Sequence, residues 1–177
     1  MNAKKHLPHY NYKDYEGWEG KWELIDGIPR SMSPAPNIKH QRISLKLGRY
    51  FDEAMEACKA CYASMPIDWK VNDHTVVQPD LLIVCHETGD QYLEKAPELV
   101  VEILSPSTAH KDRHLKYELY EEQGVKYYLI VNPVNETIEI YCLDQSYKLV
   151  STIDKVNTSF EFSIQTCQFP LDFSKVW

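Results

Sequence analysis

An α/β domain built on a central mixed β-sheet flanked by helices is what this sequence predicts, and three observations predict it. Residues 76–84 and 97–104 have the Val, Ile and Leu density of buried strands, yet each holds an acid flanked by apolar residues, Asp80 and Glu102. Apolar residues at helical spacing (Ile38, Ile43, Leu45, Leu47, Tyr50, Phe51, Ala54, Met55) precede them, and a second helix-like segment follows. Four further strand-like runs, 126–132, 137–143, 147–153 and 160–164, then alternate with turn residues. A hairpin, a helix, three strands, a helix and more strands fit helices layered on a mixed sheet.

Taken in order, residues 1–20 are polar and aromatic-spotted with few aliphatics, and read as a loose N-terminal segment before a single domain over 21–177. Trp22–Ile25 and residues 28–32 flank Asp26-Gly27, a pair that accepts the positive φ angles of a two-residue turn, so a hairpin is expected at one edge of the sheet. Asn37 is placed to cap the first long helix. Residues 62–71 and 76–84 read as two strands joined at Asn72-Asp73, and a polar connection leads to Pro97. Ser105-Pro-Ser-Thr108 ends the strand of Glu102, with Ser107 or Thr108 as cap of a helix running to Gly124.

Composition narrows the class. The chain has 177 residues, 44% hydrophobic and 25% charged, enough for one globular core. No run approaches the roughly 18 apolar residues of a membrane helix and the first residues lack the apolar core of a signal peptide, so a cytoplasmic protein with no membrane partner is expected. Five cysteines at 58, 61, 85, 142 and 167 are expected as reduced thiols; Cys58-Lys-Ala-Cys61 has knuckle spacing but no partner pair for zinc. His110 and His114 lack an HExxH context and read as solvated. The six glycines form neither a P-loop nor a dinucleotide fingerprint, and no GxSxG elbow exists for a serine nucleophile.

The two strand acids are the chemical signal. A charge within a buried strand is costly unless paired or metal-bound. If the two runs are neighbours, their carboxylates converge, and like charges so placed call for a cation or a shared proton. A divalent metal, Mg²⁺ or Mn²⁺, bound by hard oxygens meets that demand. For Asp80 the plainer alternative is a strand-end acid bonded to a turn; for Glu102, enclosed by Val100, Val101, Ile103 and Leu104, a plain structural role is harder to find. Two carboxylates can also cleave a glycoside, but that scheme leaves the lysine of the next helix idle.

Gln78-Pro79-Asp80, Glu98-Leu-Val-Val-Glu102-Ile-Leu-Ser-Pro-Ser107, Asp112-Arg113 with Lys116, and Tyr127-Tyr-Leu-Ile-Val131 together resemble the restriction endonuclease family that is greatly expanded in cyanobacteria, within the PD-(D/E)xK nuclease superfamily. Trp22-Glu23-Leu-Ile-Asp26-Gly27, Ser33-Pro34 and His40 extend the resemblance over residues 20–143. It implies a restriction-endonuclease-like core, a metal-dependent nuclease activity, and Asp80 and Glu102 as metal ligands. Leu104 stands where the superfamily's ExK lysine would be, and the family pattern moves that lysine into the following helix, here Lys116. There it can stabilise charge on the phosphoryl group or orient the attacking water; otherwise it is a surface ion pair with Asp112. Glu23, as an outer ligand or holder of a metal-bound water, and His40, as a phosphate or carboxylate contact, accompany the acids in that family; an edge-strand acid and a helix-surface histidine are their plain alternatives.

A nuclease implies a nucleic-acid partner, DNA foremost, and a homodimer that sets one site against each strand. The net charge of −7 works against a general grip on phosphates, leaving a local basic edge of Lys111, Arg113, Arg42 and Lys46 to supply it. Ser105, Ser107 and Thr108 are either a phosphate cradle at a helix start or simple caps. The contrasting reading is a non-catalytic nucleic-acid-binding or interaction module that keeps the fold, followed by a structural protein whose acids are merely paired.

Overall fold

The computed structural model describes residues 8–32, 37–87, 89, 91–105 and 112–177. At its centre is a six-stranded mixed sheet in the order β10-β9-β8-β7-β6-β3, formed by β3 (Cys61–Ser64), β6 (Leu81–Cys85), β7 (Leu99–Ile103), β8 (Tyr127–Asn132), β9 (Thr137–Cys142) and β10 (Lys148–Ile153). Within it β7 and β8 are parallel and the remaining pairs antiparallel. A parallel pair cannot be joined by a tight turn, so the chain crosses over through α3 (Asp112–Glu122), which lies back on the sheet beside β7. That crossover is what brings Lys116 to Glu102.

Strand alternation sends side chains to two faces. Leu81, Ile83, Leu99, Val101, Ile103, Leu129 and Val131 pack on one face beneath α2 (Ile38–Met55), where Ile43, Leu47, Phe51 and Met55 recur at helical spacing. Phe162 and Phe173, from the hairpin β11 (Ser159–Ile164) and β12 (Cys167–Asp172) and the turn after it, meet Phe51 edge-on. The other face carries Leu82, Val84, Val100, Tyr128 and Ile130, covered by Tyr120 and Val125 of the α3 segment and by Trp69 and Tyr147. Asn37 caps α2 as its position suggests: its side chain accepts from the His40 amide at 2.9 Å. Gly124, at φ +77°, ends α3 in the left-handed region where glycine costs least.

Three expectations need correction. The Asp26-Gly27 hairpin forms (β1, Trp22–Ile25; β2, Ile28–Ser31), with φ of 51° and 72° at its two turn residues, but it does not edge the central sheet. It builds a second sheet, β2-β1-β5-β4, with β4 (Trp69–Asn72) and β5 (Thr75–Val77). Each supposed single strand, 62–71 and 76–84, is therefore two: β3 and β4, then β5 and β6. Pro66 and Pro79 lie in the two breaks, and proline cannot donate to a ladder. One long bent hairpin thus serves both sheets, with Asp80 at its bend. Thirdly, four cysteines are not free thiols: Cys58 pairs with Cys167 and Cys61 with Cys85 in disulfides, while Cys142 is free and buried. Cys61 and Cys85 stand directly opposite each other in the β3–β6 register, which spacing along the chain does not disclose.

Residues 8–20 contribute a one-turn helix, α1 (Tyr12–Tyr15), and lie along the small sheet through Tyr10 N to Gly27 O and Tyr12 N to Asp73 O, 2.8 and 2.7 Å. No helix among the described residues is long and apolar enough to cross a membrane.

Candidate active site

The β6–β7 register pairs Leu81 with Val101 and Leu82 with Val100, so Asp80, just before Leu81, and Glu102, just after Val101, stand at the same end of two adjacent strands. Asp80 precedes β6 at the bend, where Pro79 has released the backbone from the ladder. Its Oδ2 accepts the Ile103 amide at 2.8 Å, tying it to the end of β7. His40, in the first turn of α2, is 8% exposed and places Nε2 3.3 Å from the same oxygen.

Glu102 projects from β7 into the layer between the central sheet and α3. Its Oε1 accepts from Lys116 Nζ at 2.9 Å and from the Tyr120 hydroxyl at 2.7 Å. These donors are four residues apart and share one side of α3. Tyr120 is fully buried and stacked on Trp69. Lys116, 6% exposed, also meets Glu23 Oε1 at 2.9 Å, and that oxygen takes the Gln78 amide at 2.9 Å. Gln78 in turn donates to Asp68, which accepts the Tyr15 hydroxyl, both at 3.0 Å. The small sheet therefore holds the bend carrying Asp80 at two points.

Charge explains the titration of this group. Burial pushes the Glu102 carboxyl up, Lys116 pulls it down, and Asp80 and Glu23 push it up again, for a net value of about 7. Burial alone would lower Lys116, yet the charges of Glu102 and Glu23 and its hydrogen bonds to both hold it well above the usual lysine range. Burial likewise lowers His40, but the hydrogen bond and charge of Asp80, with Glu102 and the Ile103 backbone, outweigh it and raise the imidazole. Three carboxylates face one lysine and one histidine, so the cluster is short of positive charge.

The hydrogen bonds and ion contacts of the two strand acids fall on one oxygen each, leaving Asp80 Oδ1 and Glu102 Oε2 without a partner among the described residues. No group of three or more His, Cys, Asp or Glu among those residues is arranged to hold a metal ion. Two hard oxygens and an open remainder nevertheless fit Mg²⁺, which keeps several waters and commonly takes one or two carboxylates plus substrate phosphates.

The five residues singled out in the sequence thus stand together as His40–Asp80 and Glu102–Lys116–Glu23. Lys116 pairs with Glu102 and Glu23 and not with solvent or Asp80; the Asp112 and Arg113 side chains, Lys111, Ser107, Thr108 and His110 lie outside what is described. Glu23 and His40 are buried, neither an edge-strand acid nor a surface histidine. Lys46, one member of the expected basic edge, donates its ammonium to the Trp177 main-chain oxygen at 2.6 Å. Tyr120 and Gln78 were missed as site residues; a tyrosine one turn beyond Lys116 on the same helical side was the available signal.

A mixed sheet flanked by helices, with acids at one end of adjacent strands and a lysine on the crossover helix, defines a nuclease-like restriction-endonuclease fold. The chain belongs to the Uma2 family, described as "Putative restriction endonuclease", whose model matches residues 10–170. It is 29% identical over 145 residues to the uncharacterized protein slr1290 of Synechocystis sp. (strain ATCC 27184 / PCC 6803 / Kazusa), covering 76% of this chain and 75% of that one. Its fold matches, at TM-score 0.66 and 18% identity, a crystal structure from Anabaena variabilis ATCC 29413 described as "a putative nuclease belonging to DUF820", over 81% of this chain and 82% of the other.

Proposed function

We propose that this protein is a metal-dependent endonuclease of the PD-(D/E)xK type, in which the lysine has moved from the strand to the following helix and DNA is the foremost substrate. The observation that supports it best is that Asp80 and Glu102 stand at the same end of adjacent strands, Asp80 bonded to the Ile103 amide and Lys116 bonded to Glu102. Family membership supports a nucleic-acid substrate.

Asp80 Oδ1 and Glu102 Oε2 would hold Mg²⁺ or Mn²⁺. Bound there, the cation supplies Lewis-acid polarisation of a phosphoryl oxygen and a lowered pKa for coordinated water. His40 fixes Asp80 from the α2 side. Tyr120 and Lys116 occupy one oxygen of Glu102 and so orient the other. The Lys116 ammonium, held by Glu23, adds a preorganised positive charge for a phosphoryl group that gains negative charge as water attacks. Glu23 is a positioning residue: through Lys116 and the Gln78 amide it ties the small sheet to the bend carrying Asp80. A cytoplasmic homodimer, with two sites for two strands, is the assembly proposed.

The test is a cleavage assay on single- and double-stranded DNA and RNA in millimolar Mg²⁺ or Mn²⁺, with EDTA and Glu102→Gln as controls. Metal-dependent strand scission lost in Glu102→Gln is expected. Folded wild-type protein that binds nucleic acid but cuts none of these substrates would leave a non-catalytic binding module in its place.

A further inference from the structure

Among the described residues, Arg30 carries a charge beside the site that its own fold leaves uncommitted. It stands directly opposite Glu23 in the β1–β2 ladder, so both side chains leave the same face, with Cβ atoms about 4.5–5.5 Å apart as in any antiparallel pair. No ion pair joins it to Glu23, whose own contacts go to Lys116 and the Gln78 amide. Arg30 is half-buried, its Nε is enclosed without a hydrogen-bond partner, and no ion pair joins its guanidinium to a described residue.

An enclosed donor left unpaired is unfavourable, and a structural arginine is ordinarily placed to avoid it. Other cations show the contrast. Lys116 is locked between two carboxylates, Lys39 meets Glu136, Arg49 meets Glu53 and Lys70 meets Asp73. Enclosure of Nε restrains the guanidinium plane and leaves its terminal Nη donors for an external anion. A planar pair of N–H donors fits two oxygens of a phosphodiester. In a chain of net charge −7, a polyanion has to be gripped by a few local cations beside the acids.

We propose that Arg30 is the phosphodiester anchor of this site, taking a backbone phosphate of DNA next to the Asp80–Glu102 pair. The proposal rests on the nucleic-acid reading above and adds the contact that lets an acidic protein hold its substrate.

The test compares wild type, Arg30→Ala and Arg30→Lys by fluorescence anisotropy with a short fluorescein-labelled DNA duplex in EDTA, so that cleavage plays no part. Titrations run across about 50 to 200 mM KCl. Arg30→Ala is expected to weaken binding roughly tenfold and to flatten the salt dependence by about one phosphate contact. Arg30→Lys should restore the salt slope but only part of the affinity, because it keeps the charge and loses the fork. The melting temperature of Arg30→Ala should equal or exceed that of wild type. Unchanged affinity and slope in Arg30→Ala would overturn the proposal, as would a lowered melting temperature with the slope intact, which marks a structural arginine. No wild-type binding to the duplex overturns it for DNA, and a parallel RNA hairpin shows whether the anchor serves RNA instead. Arg30-dependent binding without cleavage in Mg²⁺ removes the nuclease reading alone; normal cleavage with Arg30-independent binding removes this one alone.

Discussion

The two faces of the central sheet use the same strands for opposite ends. Beneath α2, Phe51, Phe162, Leu129 and Val131 form an apolar layer, with the His40–Asp80 contact at its edge. Beneath α3 and the small sheet, the same strands present Tyr128, Tyr120 and Trp69, and between them an acid, a lysine and another acid in direct contact. Strand period 2 makes this possible: Val101 and Ile103 serve the dry face while Glu102 between them serves the other. The dry face holds the sheet in shape and the mixed face spends that rigidity on charges that would not stay together in water. Buried ion groups are poor sources of net stability, and their worth here is position.

Mutations on the two faces should therefore part stability from turnover. Lys116→Ala is expected to have the largest effect, because it leaves Glu23 and Glu102 buried without their shared cation. Breaking such a pair costs about 3–5 kcal/mol of stability, and loss of one preorganised electrostatic donor lowers turnover by about 10²–10³. Denaturant unfolding and single-turnover cleavage on the same variant read both. Phe51→Ala should cost a similar 3–5 kcal/mol by leaving a cavity among Phe162 and Phe173, while turnover per folded molecule stays at the wild-type value. Equal losses of turnover in both variants would erase the distinction between the faces.

Reduction is the next smaller effect. The Cys58–Cys167 disulfide fastens the segment after α2 to the β11–β12 hairpin, on the dry side, and closes a separation of 109 residues. Opening it with dithiothreitol, or by Cys167→Ser, should destabilise by about 2–4 kcal/mol and leave cleavage intact. In a reducing cytoplasm the bridge would stand open, so the reduced form is the one whose activity matters there.

The smallest effect is a slope in pH. The folded Glu102 carboxyl lies at about 7, above its ordinary value of 4.5, so its contribution to stability is complete below 4.5 and is lost as pH rises toward 7. His40 is also raised, so its contribution is present below its ordinary 6.5 and is lost as pH rises through its folded value. The melting temperature of metal-free protein should therefore contain a component that falls between about pH 4.5 and 7 and continues to fall above it. Glu102→Gln should remove the first part of that component. Phe51→Ala should lower the whole curve without changing its shape.

Much of the central sheet and the α2 helix was legible because periodicity reports burial on one face directly. Asp80 and Glu102 stood out because acids rarely interrupt runs such as Leu-Val-Val and Ile-Leu. The second sheet was hidden, since Pro66 and Pro79 break both arms of one hairpin at matching places, and each arm still reads as a single apolar run. The Glu23–Lys116 contact joins distant parts of the chain through a crossover that sequence pattern does not fix. Tyr120 was invisible for a different reason: a tyrosine on an amphipathic helix looks like core, and it is core as well as a donor to Glu102. Arg30 became notable only when the fold showed which cations were already paired.

The most direct measurement of the central claim is calorimetric titration of Mn²⁺ into wild type, Asp80→Asn and Glu102→Gln at about pH 8, above the Glu102 value of about 7. One bound cation per chain in wild type, lost or greatly weakened in both variants while all three remain folded, is the predicted result. Wild-type protein that binds no Mn²⁺, or variants that bind it as tightly as wild type, would contradict a metal site shared by Asp80 and Glu102.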